Sequence, residues 1–112
     1  MAGWFDVAPE SELGPGQSRL VNIDTIMVAV FNLDGDFYAI EDICSHDGSP
    51  MLGCGLKQDD LVYGDQIVCP RHGARFSIRT GEALTPPAYE PVTTFPVRIE
   101  NGMVQICDDH RD

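Results

Sequence analysis

The segment TIMVAVFNLDGDFYAI, residues 25–40, sets the fold class. Thr25 to Leu33 is rich in Val and Ile, Phe37 to Ile40 is aromatic and apolar, and Asp34-Gly35 stands between them. That dipeptide between two such runs marks a two-residue hairpin. Working outward, Arg19 to Ile23 reads as a strand before it. Thr93 to Glu100 and Met103 to Cys107 flank Asn101-Gly102, a second hairpin signal of the same kind. Asp65 to Val68 and Arg75 to Ile78 read as short strands. Between Asp42 and Gly64 stand Gly48, Gly53, Gly55, Gly64 and Pro50, so this stretch reads as loop. Leu84 to Pro91 carries three prolines and must be extended or looped.

No window of helical period survives these breakers. The expectation is an all-β chain of short strands, one domain over residues 1–112, in a sandwich or barrel-like assembly. Trp4, Phe37, Tyr38, Phe76 and Phe95 are the expected large core residues.

Composition narrows the function classes. Against 7 basic residues stand 18 acidic ones, for a formal net charge of −11. Such a polyanion is repelled by nucleic-acid phosphates and by anionic membrane surfaces. The longest apolar stretch, Ile26 to Phe31, is six residues, far short of the roughly 18 of a membrane span. The N-terminus shows neither a basic region nor a signal core, so a cytoplasmic protein with reduced thiols is expected; it is also expected to be a monomer. Its four cysteines are then metal ligands or bystanders before they are disulfides.

Two of the four have a histidine close by: Cys44-Ser45-His46, and Cys69-Pro70-Arg71-His72 followed by Gly73. Both pairs fall in loops that leave a strand just before the cysteine. Two thiolates and two imidazoles suit a tetrahedral zinc or an iron–sulfur cluster. Structural zinc sites usually pair like ligands within each loop. One Cys and one His per loop suits two adjacent metals instead, one taking both thiolates and the other both imidazoles.

These two boxes, with the downstream Phe76, Thr80-Gly81-Glu82 and Pro86-Pro87, resemble Rieske proteins, and in particular the soluble ferredoxins of ring-hydroxylating dioxygenase systems. The resemblance runs from Trp4 to Ile106. It implies small antiparallel β-sheets with a two-loop cluster-binding subdomain, the loops spanning about residues 42–50 and 66–76. It implies one [2Fe–2S] cluster, with Cys44 and Cys69 on the inner iron and His46 and His72 on the outer, solvent-side iron. It further implies a one-electron carrier, not catalytic alone, between a flavin-dependent reductase and a terminal non-haem iron oxygenase. The 22 residues from Asp47 to Val68 exceed the interval usual in this family, so Met51 to Asp60 is expected to form a longer loop. In respiratory Rieske subunits an extra cysteine in each box bridges the two loops. Arg71 stands where the second would be, so Cys54 is expected to be unbridged.

Neutral imidazoles leave the oxidised cluster core uncharged, so it accepts an electron more readily than a four-cysteine cluster. Rieske centres accordingly span about −150 to +300 mV, against about −400 mV for plant-type ferredoxins. Ala74 and Phe76 lack the side-chain donors that raise the potential, and the net charge also lowers it. The low end of the range is expected. Two rivals stand beside this reading: the small subunit of an assimilatory nitrite reductase, and a zinc-stabilised structural or interaction module. Cys54 and Cys107 read as bystander thiols, and His110 as a solvated tail residue. Arg71, Arg75 and Arg79 read equally well as partner-orienting charges or as a solvated strand face. Pro86-Pro87 reads as a lid by the resemblance, or as a plain loop.

Overall fold

A computed structural model describes residues 3–23, 25–45, 48, 50–54, 61–70, 73–86 and 89–107. Its strands are β1 (Trp4–Pro9), β2 (Ser18–Ile23), β3 (Ile26–Leu33), β4 (Asp36–Glu41), β5 (Val62–Tyr63), β6 (Gln66–Val68), β7 (Arg75–Ser77), β8 (Thr94–Phe95), β9 (Val97–Glu100) and β10 (Met103–Cys107). They form three antiparallel sheets, ordered β1-β10-β9, β2-β3-β4-β8 and β5-β6-β7. The only helical elements among the described residues are two single turns of 3₁₀ helix, Glu10–Glu12 and Leu52–Cys54.

Strand β3 lies at the middle of the fold. Val28 and Val30 face one apolar cluster, with Ala39, Phe95, Val104 and Ile106. Ala29, Phe31 and Leu33 face the other, with Ile40, Ile67, Phe76 and Ile78. Alternate residues of a strand point to opposite faces, so a strand covered on both sides reads as an unbroken apolar run. The hairpin β3–β4 turns at Asp34 (φ 55°) and Gly35 (φ 99°), and β9–β10 at Asn101 (φ 53°) and Gly102 (φ 78°). Positive φ at both central residues is the turn that matches strand twist, and it selects these dipeptides.

Several elements depart from the expectation. The stretch Thr93 to Glu100 is two strands rather than one. β8 pairs with β4 in the central sheet, and β9 pairs with β10 in the outer one. Pro96, which has no N–H to donate, stands between them where the chain changes sheets. β1 was not expected, because its mixed sequence WFDVAP lacks clean alternation. It is held by pairing with β10, from Trp4 opposite Cys107 to Pro9 opposite Met103. β5 lies within the stretch read as loop and pairs with β6.

The core expectation holds for Phe76 and Phe95, which are buried, whereas Phe37 and Tyr38 are half-buried. Trp4 is 39% exposed. Its ring lies 4.1 Å from the Arg98 guanidinium on the outer sheet, an amphipathic contact that a fully buried site would not allow.

Candidate metal centre

Cys44 and Cys69 are brought together in one place. Both are fully buried and both belong to the cluster that contains Met51, Ala74 and Phe76. Cys44 follows the end of β4, and Cys69 follows β6 directly. Each opens a turn of the same kind. The Gly48 N–H donates to the Cys44 carbonyl at 2.7 Å, and the Gly73 N–H donates to the Cys69 carbonyl at 2.8 Å. Gly48 has φ 76° and Gly73 has φ 75°, a conformation that costs other L-residues strain. A Cβ at either glycine would meet nothing within 4 Å, so glycine is needed for its backbone angle rather than for space.

Each loop therefore runs from a buried cysteine to an exposed glycine four residues later. His46 and His72 fall inside these two turns in sequence and lie outside the described residues, as does Arg71.

The loops are closed at their bases by different means. The second sits at the end of the β6–β7 pair, and the Cys69 N–H donates to the Ala74 carbonyl at 2.7 Å. Among the described residues the first is not followed by a strand that pairs back at its base. There Asp42, 2% exposed, uses both carboxylate oxygens. Oδ1 accepts from the Leu52 N–H at 2.6 Å, and Oδ2 from the Gly53 N–H at 2.8 Å. A Cβ at Gly53 would stand 3.1 Å from Oδ2, so the carboxylate would have to shift by a few tenths of an ångström to admit it.

A third segment lies against both loops. The Leu84 N–H donates to the Arg75 carbonyl at 2.7 Å, and the Arg75 N–H donates to Thr85 Oγ1 at 2.9 Å. The Ser45 hydroxyl donates to the Glu90 carbonyl at 2.5 Å. This places the segment holding Pro86 beside both cysteine loops; Pro87 lies outside the described residues.

Two of the three arginines near the second box are held internally. Arg75 donates to Gln66 Oε1 at 3.3 Å and lies 5.4 Å over the Tyr63 ring. Arg79 contacts Asp65 Oδ2 at 3.3 Å and donates to the Tyr38 hydroxyl at 2.7 Å. Tyr38 first, then Asp65, hold the Arg79 guanidinium above its ordinary pKa, so it stays charged. These contacts favour a strand face that ties the small sheet to the central one. Cys107 is buried in β10, and the side chain of Cys54 lies outside the described residues.

The donor chemistry fits an iron–sulfur centre. A thiolate in an apolar cluster is costly without a cation, and a metal that both thiolates share removes that cost. Two buried thiols on turns that lead to the surface match a thiolate-ligated inner iron and an imidazole-ligated outer one.

Asp42, Ser45 and Thr85 were not read as site residues from the sequence. Asp42 carried only a shared signal, since Glu41 and Asp42 both stand between the apolar Ile40 and Ile43 just before the first box.

Comparison with known proteins agrees. Residues 3–96 match the Rieske [2Fe-2S] domain. The chain is 40% identical over 98 residues to the 3-phenylpropionate/cinnamic acid dioxygenase ferredoxin subunit of Escherichia coli (strain K12), covering 88% of this chain and 87% of that protein. Among solved structures, a chain of the complex of reduced oxygenase and oxidized ferredoxin in carbazole 1,9a-dioxygenase superposes with a TM-score of 0.82 at 31% identity, covering 97% of this chain and 96% of that one. The ferredoxin of carbazole 1,9a-dioxygenase from Nocardioides aromaticivorans IC177 gives a TM-score of 0.77 at 27% identity, covering 92% of this chain and 95% of that one. With its two cysteine turns, its sheets and this match, the chain belongs to the Rieske [2Fe-2S] family.

Proposed function

We propose that the protein is the ferredoxin component of a ring-hydroxylating dioxygenase system. It takes one electron at a time from a flavin-dependent reductase and passes it to a terminal oxygenase. The observation that carries this reading is the pair of buried cysteines on matched glycine turns, in a chain that nearly spans dioxygenase ferredoxin subunits.

The cluster supplies a one-electron couple when bound. Cys44 and Cys69 would hold it through their buried thiols, and His46 and His72 would complete the ligand set. Met51, Phe76 and Ile67 exclude water behind the two thiols. Leu84 and Thr85 bond to the strand after the second loop and Glu90 to Ser45 of the first, so this segment is tied to both loops. Docking to either redox partner is small and transient, as suits a carrier that must leave after each electron. The domain spans residues 1–112, functions as a monomer and works in the cytoplasm. Among the described residues no helix is long and apolar enough to cross a membrane.

Ala74 and Phe76 are both fully buried, and neither side chain can donate a hydrogen bond to a sulfur. A potential near the low end of the Rieske range, about −150 mV, is expected. A redox titration gives the value, and a clearly positive potential overturns this part of the reading. The function itself is tested by stopped-flow mixing of the reduced protein with candidate terminal oxygenases. Rapid return of the oxidised spectrum with product formation supports it. Failure to exchange electrons with any oxygenase, alongside exchange with a different acceptor class, overturns it.

A further inference from the structure

Asp42 is the one buried ionisable side chain outside the cysteines among the described residues. An aspartate is rarely buried unless its oxygens are matched by donors. Its donors are two consecutive backbone N–H groups, Leu52 and Gly53, ten and eleven residues ahead. Its own N–H donates to the Met27 carbonyl of β3 at 2.8 Å. One residue therefore joins the central sheet, the start of the first cysteine loop and the far end of that loop. In between lie Cys44, buried, and Met51, also buried in the same cluster. The second loop needs no such device, because β6 and β7 pair on either side of it.

We propose that Asp42 is a positioning residue for the cluster: its carboxylate closes the base of the first loop, as the β6–β7 pair closes the second, and so sets where Cys44 stands relative to Cys69. The proposal rests on the ligand assignment above. Asp42 makes no contact with the cluster in this account and acts through the backbone of residues 43–53.

The test compares the full-length protein, purified with its cluster, with the variants Asp42→Ala, Asp42→Asn and Gly53→Ala. Val104→Ala, in the core shared with the outer sheet, is the control for lost stability. The readouts are iron content, the line shape of the reduced electron paramagnetic resonance (EPR) signal, and the half-life of the colour in a strong chelator. Hydrogen exchange at the Leu52 and Gly53 amides reports the clasp directly. Asp42→Ala is expected to shorten the chelator half-life several-fold, shift the line shape and expose both amides to exchange. Asp42→Asn keeps one acceptor oxygen and falls between it and the wild type. Gly53→Ala, which crowds the clasp from the other side with Asp42 intact, also shifts the line shape.

Val104→Ala lowers stability but keeps the wild-type line shape and chelator half-life. Should Asp42→Ala fail to fold, the Asn and Gly53→Ala variants decide. Wild-type line shape and half-life in those two variants overturn the proposal. So does a Val104→Ala control that reproduces their changes. A wild-type protein without a [2Fe–2S] signal overturns the ligand assignment itself, a result distinct from failure of the clasp.

Discussion

The two cysteine loops arrive at the same turn from different foundations. Each closes on a glycine near φ 75° that donates to a cysteine carbonyl. The second stands on a strand pair, so its base is held by regular ladder bonds between β6 and β7. The first is a longer excursion from the end of β4, and its base is held by one carboxylate. The lesson is that ligand geometry depends on the turn, while the resilience of that geometry depends on what stands under it. A ladder spreads the load over several bonds; a clasp concentrates it on one side chain.

The sharpest break of this comparison removes a ligand. Cys44→Ser and Cys69→Ser each take away one of the two buried cysteines that the proposed assignment puts on one iron, and both are expected to abolish the colour and the reduced-state signal. Equal loss in both variants, read by iron content and visible absorbance, marks the loops as equivalent at the metal. Retention of the cluster by either one breaks that equivalence.

The next effect is expected to be unequal. Asp42→Ala leaves two inward N–H groups without acceptors, a loss of about 3 kcal/mol. Thr85→Val beside the second loop removes one acceptor, that of the Arg75 N–H, and costs about 1 kcal/mol. Denaturant unfolding of the two variants measures the difference; equal losses contradict the view that the first loop depends on one side chain more than the second, ladder-based loop does.

The smallest effect is expected to be the same in both loops. Gly48→Ala and Gly73→Ala place a Cβ in open space at positive φ, so each costs only backbone strain, about 1 kcal/mol. Thermal unfolding of both variants side by side checks this. A markedly larger cost in one loop shows that its glycine has a second task.

Much of this was legible before any coordinates. The hairpins at Asp34-Gly35 and Asn101-Gly102 were legible because positive φ at two successive residues restricts what can stand there. The all-β class followed, and so did the pairing of Cys44 with Cys69, which the structure buries in one cluster, because a cysteine and a histidine in each of two loops is a rare arrangement. Strand β1 was not legible, since its stability comes from pairing with β10 almost a whole chain length away. The split at Pro96 could have been read, as a proline without an N–H interrupts a ladder. Trp4 was misplaced because size and apolarity say nothing of the Arg98 guanidinium that accepts its ring face on the surface. Asp42 was read only as one of 18 acidic residues. Its role depends on Leu52 and Gly53 folding back over it, a contact that no local pattern encodes.

The central claim is that two thiolates hold one iron and two imidazoles the other. Pulsed EPR on the reduced protein, grown with nitrogen-15 histidine, tests it most directly. The chain has three histidines, so the count of coupled nitrogens is decisive. The account predicts coupling from two distinct histidines, His46 and His72, unchanged by His110→Ala. A reduced cluster without histidine coupling, or a colourless protein holding zinc, would contradict it.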